Sequence, residues 1–305
     1  MSSARRGIVA ISVTGVLWAT IGISVRLLQD HGPLDSLVIL FWRLVIASLA
    51  LAVIVRGDGL RALRAEFRGP GRGVRLLVVS IASIGFQLTY FYAVADVGVA
   101  VATLVTLGLA PVAALAAESV QARAVPQART VAVVVCALSG LALVSSSHST
   151  GVVAPHPARG VTLAAISGLL YAGSTLLSRR LSGRLSPQSL TAGTTVIGML
   201  LLLGPTMAIG AEVPLTPPVV GGLVYLGLVT TVIAYMLFYL GLRTTPGGVA
   251  MVLTLLEPAT AVVLAAVLLA EPITLTSGTG ALLVLLAVAV LSLSPPADSS
   301  RLRGV

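Results

Sequence analysis

Residues 7–28 and 160–181 are two versions of one helix-length segment. At a constant offset of 153, Gly15 falls on Gly168, Trp18 on Tyr171, Ala19 on Ala172, Arg26 on Arg179 and Leu28 on Leu181. Each copy opens a block of five apolar stretches: 7–27, 35–55, 74–95, 98–118 and 130–147, then 160–181, 188–210, 218–241, 247–270 and 275–294. A bilayer crossing takes about 20 mostly apolar residues, so each stretch is a candidate span. Five is odd, so the second block must enter a membrane from the side opposite to the first. The expected fold is an all-α membrane protein with ten transmembrane helices as two inverted five-helix repeats. The expected boundaries are 1–147 for the first repeat, 148–159 for an outer linker, 160–294 for the second repeat and 295–305 for a cytoplasmic tail.

The repeat continues past its opening helices. Gly32-Pro33 before the second span matches Ser186-Pro187 before the seventh, and Pro111 in the fourth matches Pro258 in the ninth at an offset of 147. The spans use most of the 305 residues, 57% of which are hydrophobic and only 10% charged, and leave no room for a soluble catalytic or nucleotide-binding domain. The first span exceeds a signal-peptide core, lacks an Ala-x-Ala site and closes on Arg26, so it is read as retained. Cys136 is the only cysteine and falls within the fifth span, while His31, His148 and His156 fall in outer loops. Neither a metal site nor a cofactor is expected.

All 19 basic residues are arginine, and their placement carries the topology. With the N-terminus in the cytoplasm, sixteen arginines lie on the inner side, Arg159 and Arg26 lie outside, and Arg43 lies within a span. That asymmetry places both termini in the cytoplasm of a bacterial-type cytoplasmic (inner) membrane. The net charge of +9 is thereby read as a topology signal and a contact for anionic membrane lipid, not as a nucleic-acid surface.

Polar side chains at a spacing of three to four mark the helix faces turned from lipid. Such stripes occur at Ser80, Ser83, Gln87 and Tyr90; at Ser167, Tyr171, Ser174 and Ser178; at Thr191, Thr194 and Thr195; and at Thr231, Tyr235 and Tyr239. Spans five and ten have almost none. The expectation is a central cavity among spans one to four and six to nine, with five and ten as outer supports. Inverted repeats that enclose a midplane site are a recurring plan of secondary transporters. For any single Ser or Thr, bonding to its own helix carbonyl is the alternative.

Glu257 is the most informative single residue. It lies deep in MVLTLLEPATAVVLAAVLLA, where a charge costs ~2.5–3.5 kcal/mol on insertion scales. Pro258 cannot donate to the Thr254 carbonyl, so a carboxyl, a free carbonyl and a hydroxyl coincide. Glu257 is the candidate for a cation, a substrate amine or a coupled proton; the alternative is a structural hydrogen bond between helices. Arg43, the second charge at depth, suits a carboxylate or phosphate, or a pairing with Glu257; its alternative is snorkelling beside Trp42. The candidate substrate-binding set is Trp18, Arg43, Gln87, Tyr90, Thr106, Tyr171, Ser174, Tyr235, Thr254 and Glu257. Glu118 reads as interfacial.

The sequence resembles the EamA-type branch of the drug/metabolite transporter superfamily over residues 7–294. The markers are Trp18-Ala19 and Tyr171-Ala172, Phe41-Trp42-Arg43, Tyr90-Phe91-Tyr92-Ala93, Thr231-Val-Ile-Ala-Tyr235, Leu256-Glu257-Pro258 and Leu268-Leu269-Ala270-Glu271. The resemblance implies ten helices with both termini inside and movement of a small metabolite, often export of amino acids and related compounds. A cationic multidrug exporter is the second reading and a channel-like facilitator the third. A homodimer is compatible with the sequence. An intramembrane enzyme is disfavoured, because no Gly-x-Ser-x-Gly elbow, intramembrane histidine or paired acidic motif occurs. The repeat is uneven at its charges: Ala124 stands thirteen residues after Pro111, where Glu271 follows Pro258, and Arg43 has no basic partner in the seventh span.

Overall fold

The computed structural model describes residues 3–32, 34–68, 72–146, 156–269 and 273–293. The expected linker falls largely, and the C-terminal tail and Glu271 wholly, outside the described residues. Among the described residues the chain is helical, without strands. Its helices are α1 Ser3–Gln29, α2 Ser36–Ile54, α3 Asp58–Arg68, α4 Arg72–Ala122, α5 Ala128–Ser146, α6 Pro157–Ser182, α7 Pro187–Ile209, α8 Pro217–Gly227, α9 Ala234–Leu242, α10 Gly247–Thr254, α11 Leu256–Leu269 and α12 Leu275–Leu293.

Nine described helical stretches are long and apolar enough to cross a membrane, and one of them crosses twice. α4 has 51 residues, but Gly98 inside it takes φ 78° and ψ 163°, a conformation that side chains disfavour. The hydroxyls of Tyr90 and Thr103, thirteen residues apart, then lie 2.7 Å from each other. A straight helix would separate them by about 20 Å at 1.5 Å per residue. α4 is therefore a hairpin of two spans, which brings the crossings among the described residues to ten.

Equivalent close packings relate the two repeats. A Cβ on Gly15 would lie 3.1 Å from the Leu256 Cβ and 3.4 Å from the Leu253 carbonyl oxygen. One on Gly168 would lie 3.2 Å from the Leu109 Cβ and 2.7 Å from the Thr106 oxygen. Leu109 and Leu256, like Thr106 and Leu253, are related by the offset of 147. Likewise Gly7 packs on Thr244 and Gly160 on Val97, its counterpart. Each repeat thus sets its opening helix against the fourth span of the other, and hydrocarbon-compatible packing of small residues holds them together.

Three features depart from the sequence reading. The basic stretch between the second and third spans contains α3, whose Gly59 carbonyl accepts from the Ser189 hydroxyl at 3.1 Å while Arg61 and Arg64 are exposed. α4 continues as helix through Pro111, whereas the ninth crossing breaks at Leu255, between α10 and α11, as Pro258 requires. The eighth crossing carries a π-helical segment, Leu228–Ile233, between α8 and α9. Such segments are uncommon and concentrate at functional sites; here the Thr230 carbonyl within it accepts the Trp18 indole N–H at 3.2 Å.

α5 and α12 pack chiefly on each other, with Gly140 and Gly280 in close backbone approach. Apart from the last turn of α5, which reaches the cavity described next, neither helix lines that cavity.

Candidate functional site: a cavity open at one end

A cavity of about 890 Å³ lies between the repeats, within the size range of small-molecule sites. Its mouth is formed by Arg26 at the end of α1, Gly98 to Val101 at the α4 turn, Ser145 at the end of α5 and Ala265 in α11. All of these lie at the end of the bundle away from Ser3. Its floor is aromatic. Trp18 stacks obliquely on Tyr235 and Phe238 with ring centres 5.1 and 5.3 Å apart, and Phe86 stacks on Tyr171 at 4.9 Å. Below the floor lies a separate pocket of only about 10 Å³, beside Ser174, Ser178 and Tyr239. That is no more than one water requires, so the path toward the other end is closed.

Eight of the ten candidate residues line this cavity: Trp18, Arg43, Gln87, Tyr90, Thr106, Tyr171, Tyr235 and Glu257. The other two do not. Ser174 lies below the floor and donates to the Tyr171 carbonyl at 3.0 Å. Thr254 sits behind the wall, donates to the Met251 carbonyl at 2.8 Å and accepts from the Tyr171 hydroxyl at 3.2 Å. It supports the cavity without facing it.

Arg43 neither snorkels nor pairs with Glu257. It is 7% exposed, and its guanidinium donates to the Gln87 side-chain oxygen at 2.6 Å. The neighbouring Trp42 is fixed separately, its indole donating to the Ala211 carbonyl at 2.8 Å. The Glu257 carboxyl faces the cavity and makes no hydrogen bond or ion pair among the described residues. Tyr90, Tyr171 and Tyr235 lie within its electrostatic reach, and Tyr235 also within that of Arg43. The cavity thus presents a cation and an acid that do not neutralise each other.

The threonine stripe of the seventh span belongs to packing. Thr191, Thr194 and Thr195 are buried and donate to the carbonyls of Pro187, Leu190 and Thr191 at 2.8, 2.9 and 2.6 Å. Span seven therefore does not line the cavity, contrary to the sequence expectation. Phe86 and Thr103 do line it. Both were legible by helical spacing, since Phe86 lies one turn before Tyr90 and Thr103 one turn before Thr106.

This site sits at the interface of two copies of one motif. Residues 5–146 and 158–293 each match the model of the EamA-like transporter family. The chain belongs to that family. It is thereby a member of the drug/metabolite transporter superfamily, and the EamA match points to a transporter rather than an enzyme. The chain is also 31% identical, over 210 residues, to a Bacillus subtilis (strain 168) protein described as the uncharacterized transporter YwfM, covering 69% of this chain and 70% of that protein. A chain of known crystal structure shares the fold with a TM-score of 0.78 at 18% identity, over 93% of this EamA-like chain and 95% of that one. No group of three or more metal-ligating side chains occurs among the described residues.

Proposed function

We propose that this EamA-like transporter moves a small zwitterionic metabolite, an amino acid or related compound, across the cytoplasmic membrane by alternating access. The observation that carries the reading is the unpaired Glu257 carboxyl in the same cavity as the Gln87-bound Arg43. Each charge at the centre of a membrane span costs ~2.5–3.5 kcal/mol on insertion scales. Two such charges held apart in one cavity are well placed to receive a substrate carboxylate at Arg43 and an amine at Glu257. An arginine fork suits a carboxylate geometrically. The apolar remainder of the wall, including Phe91, Val94 and Val262, accommodates an aliphatic or aromatic side chain.

With both termini cytoplasmic, as the arginine distribution favours, the mouth faces the exterior. Export is the direction the family resemblance implies. The Glu257 proton is the candidate coupling ion. The test is an unbiased metabolite comparison of cells with and without the protein, followed by counterflow of the altered compounds in proteoliposomes. Saturable counterflow of a zwitterion supports the reading, and unsaturable conductance would replace it with a pore.

A cationic-drug exporter is the second reading, favoured by the unpaired carboxyl beside an aromatic floor, since ring faces attract cations. Arg43 opposes it. Competition by a lipophilic cation but not by any zwitterion would decide for that alternative.

A further inference from the structure

The fourth and ninth crossings touch at one end of the bundle and part at the other. At the end bearing Ser3, α4 packs against α10; at the mouth it hardly meets α11. Glu118, near the end of α4, forms the closed junction. One of its carboxylate oxygens accepts the Gly247 backbone N–H at 2.7 Å and the other accepts that of Gly248 at 3.1 Å. Both donors open α10, where helix N–H groups lack partners within their own helix. Arg179 of α6 approaches the same carboxylate at 3.5 Å. Glu118 therefore ties the first repeat to two helices of the second.

The two glycines make this approach feasible. A Cβ on Gly247 would lie 2.6 Å from a Leu176 methyl and 3.2 Å from one Glu118 carboxylate oxygen, and one on Gly248 would lie 3.3 Å from the other. The repeat offset of 147 sends Glu118 to Ala265, Gly247 to Ala100 and Gly248 to Val101. All three counterparts line the mouth of the cavity. There the acid is an alanine, and the two glycines are replaced by residues whose side chains keep helices apart.

We infer that Glu118 is a one-sided latch. It holds the repeats together at the end of the termini, the matching positions at the mouth have no acid to do the same, and the protein rests with its cavity open at the mouth. Resting on the alternating-access reading, the inference adds what sets the balance between the two states. A contact made in only one state shifts a conformational equilibrium by its own free energy. Opening the closed end breaks both N–H bonds to Glu118, whereas closing the mouth creates no equivalent.

Two single-cysteine reporters in a Cys136→Ala background test this in proteoliposomes of known orientation. Ala261→Cys lines the cavity, and Ser178→Cys lies below the floor. A membrane-impermeant maleimide is applied from one side at a time. Glu118→Gln should slow labelling of Ala261→Cys from the mouth side and speed labelling of Ser178→Cys from the other, the latter by about tenfold if one charge-assisted hydrogen bond is lost. Gly248→Ala, which crowds the junction without altering charge, should act in the same direction. Ala265→Glu should slow Ala261→Cys labelling with Glu118 intact. Unchanged labelling in both Glu118→Gln and Gly248→Ala, with monodisperse and helical protein, would overturn the latch. Should Ser178→Cys remain unlabelled from its own side in the parent and every variant, alternating access itself would fall.

Discussion

The Arg43 guanidinium donates to the Gln87 side-chain oxygen at 2.6 Å, and the Gln87 amide nitrogen donates in turn to the Ser83 carbonyl at 2.9 Å. The second bond fixes the amide so that its oxygen faces the arginine. Gln87 thereby orients the cavity's cation without supplying a counter-charge.

That arrangement predicts unequal consequences for two substitutions of Gln87. Gln87→Glu places a carboxylate against Arg43 and satisfies it internally, so zwitterion counterflow should fall by about tenfold or more, the worth of one charge-assisted bond. Gln87→Met removes the anchor but leaves the charge, so the apparent KM should rise with a smaller loss of maximal rate. Counterflow with a panel of labelled amino acids at matched protein levels distinguishes them; equal losses would show that Gln87 acts only in packing.

The junctions at Gly15 and Gly168 predict a matched pair of stability effects. Gly168→Val drives new atoms into the Thr106 carbonyl and Leu109, and Gly15→Val does the same to Leu253 and Leu256. Overpacking of this kind costs about 1–3 kcal/mol. Both variants should lower the Tm in detergent. Gly173→Ala, where no atom lies within 4 Å of the added Cβ, should not.

These results mark what the amino-acid pattern reveals and what it conceals. The duplication, the break before Pro258 and the depth of Arg43 and Glu257 were legible, because charge and proline carry large penalties in a membrane span; whether those two charges face a cavity was not, because a snorkelling arginine or a structural carboxyl leaves the same sequence. The seventh-span stripe misled because a threonine bonded to its own helix carbonyl and one facing a cavity have the same spacing. Ser174 and Thr254 failed for the same reason at shorter range: each is on the right helix, one turn too deep or turned behind the wall. Glu118 was read as interfacial because its partners are backbone N–H groups 129 and 130 residues away, and backbone donors leave no mark in a sequence. The α4 hairpin turns on one glycine among 31.

Membrane orientation is predicted from the arginine distribution and checked without reference to transport. In a Cys136→Ala background, single cysteines at Arg64 and Ser147 should react with an impermeant maleimide from opposite faces. Ser147→Cys should label in intact cells and Arg64→Cys only after permeabilisation. Labelling of both from outside would reverse the sixteen-to-two assignment of arginines to the inner side.

Glu257 yields the prediction that bears most directly on energy coupling. Its carboxyl has no partner among the described residues, faces the cavity, and stands where the ninth helix is already broken between Thr254 and Leu256. A carboxyl so placed can exchange a proton with the mouth in this state and with the opposite side once the floor opens. The aromatic floor prevents it from facing both at once, which is what coupling requires. Glu257→Gln keeps the shape and removes the exchange. The expected outcome is a folded protein of parental Tm whose zwitterion flux no longer responds to an imposed pH gradient, while the parent's flux does. Glu257→Asp should retain the response at reduced rate, because the shorter side chain keeps the titrating group but withdraws it from Tyr90 and Tyr235. Flux measured in proteoliposomes at fixed membrane potential, with the gradient set in either direction, separates proton coupling from a mere pH optimum. A Glu257→Gln protein with the parental gradient response would leave the residue a substrate contact or a structural group and move the coupling elsewhere.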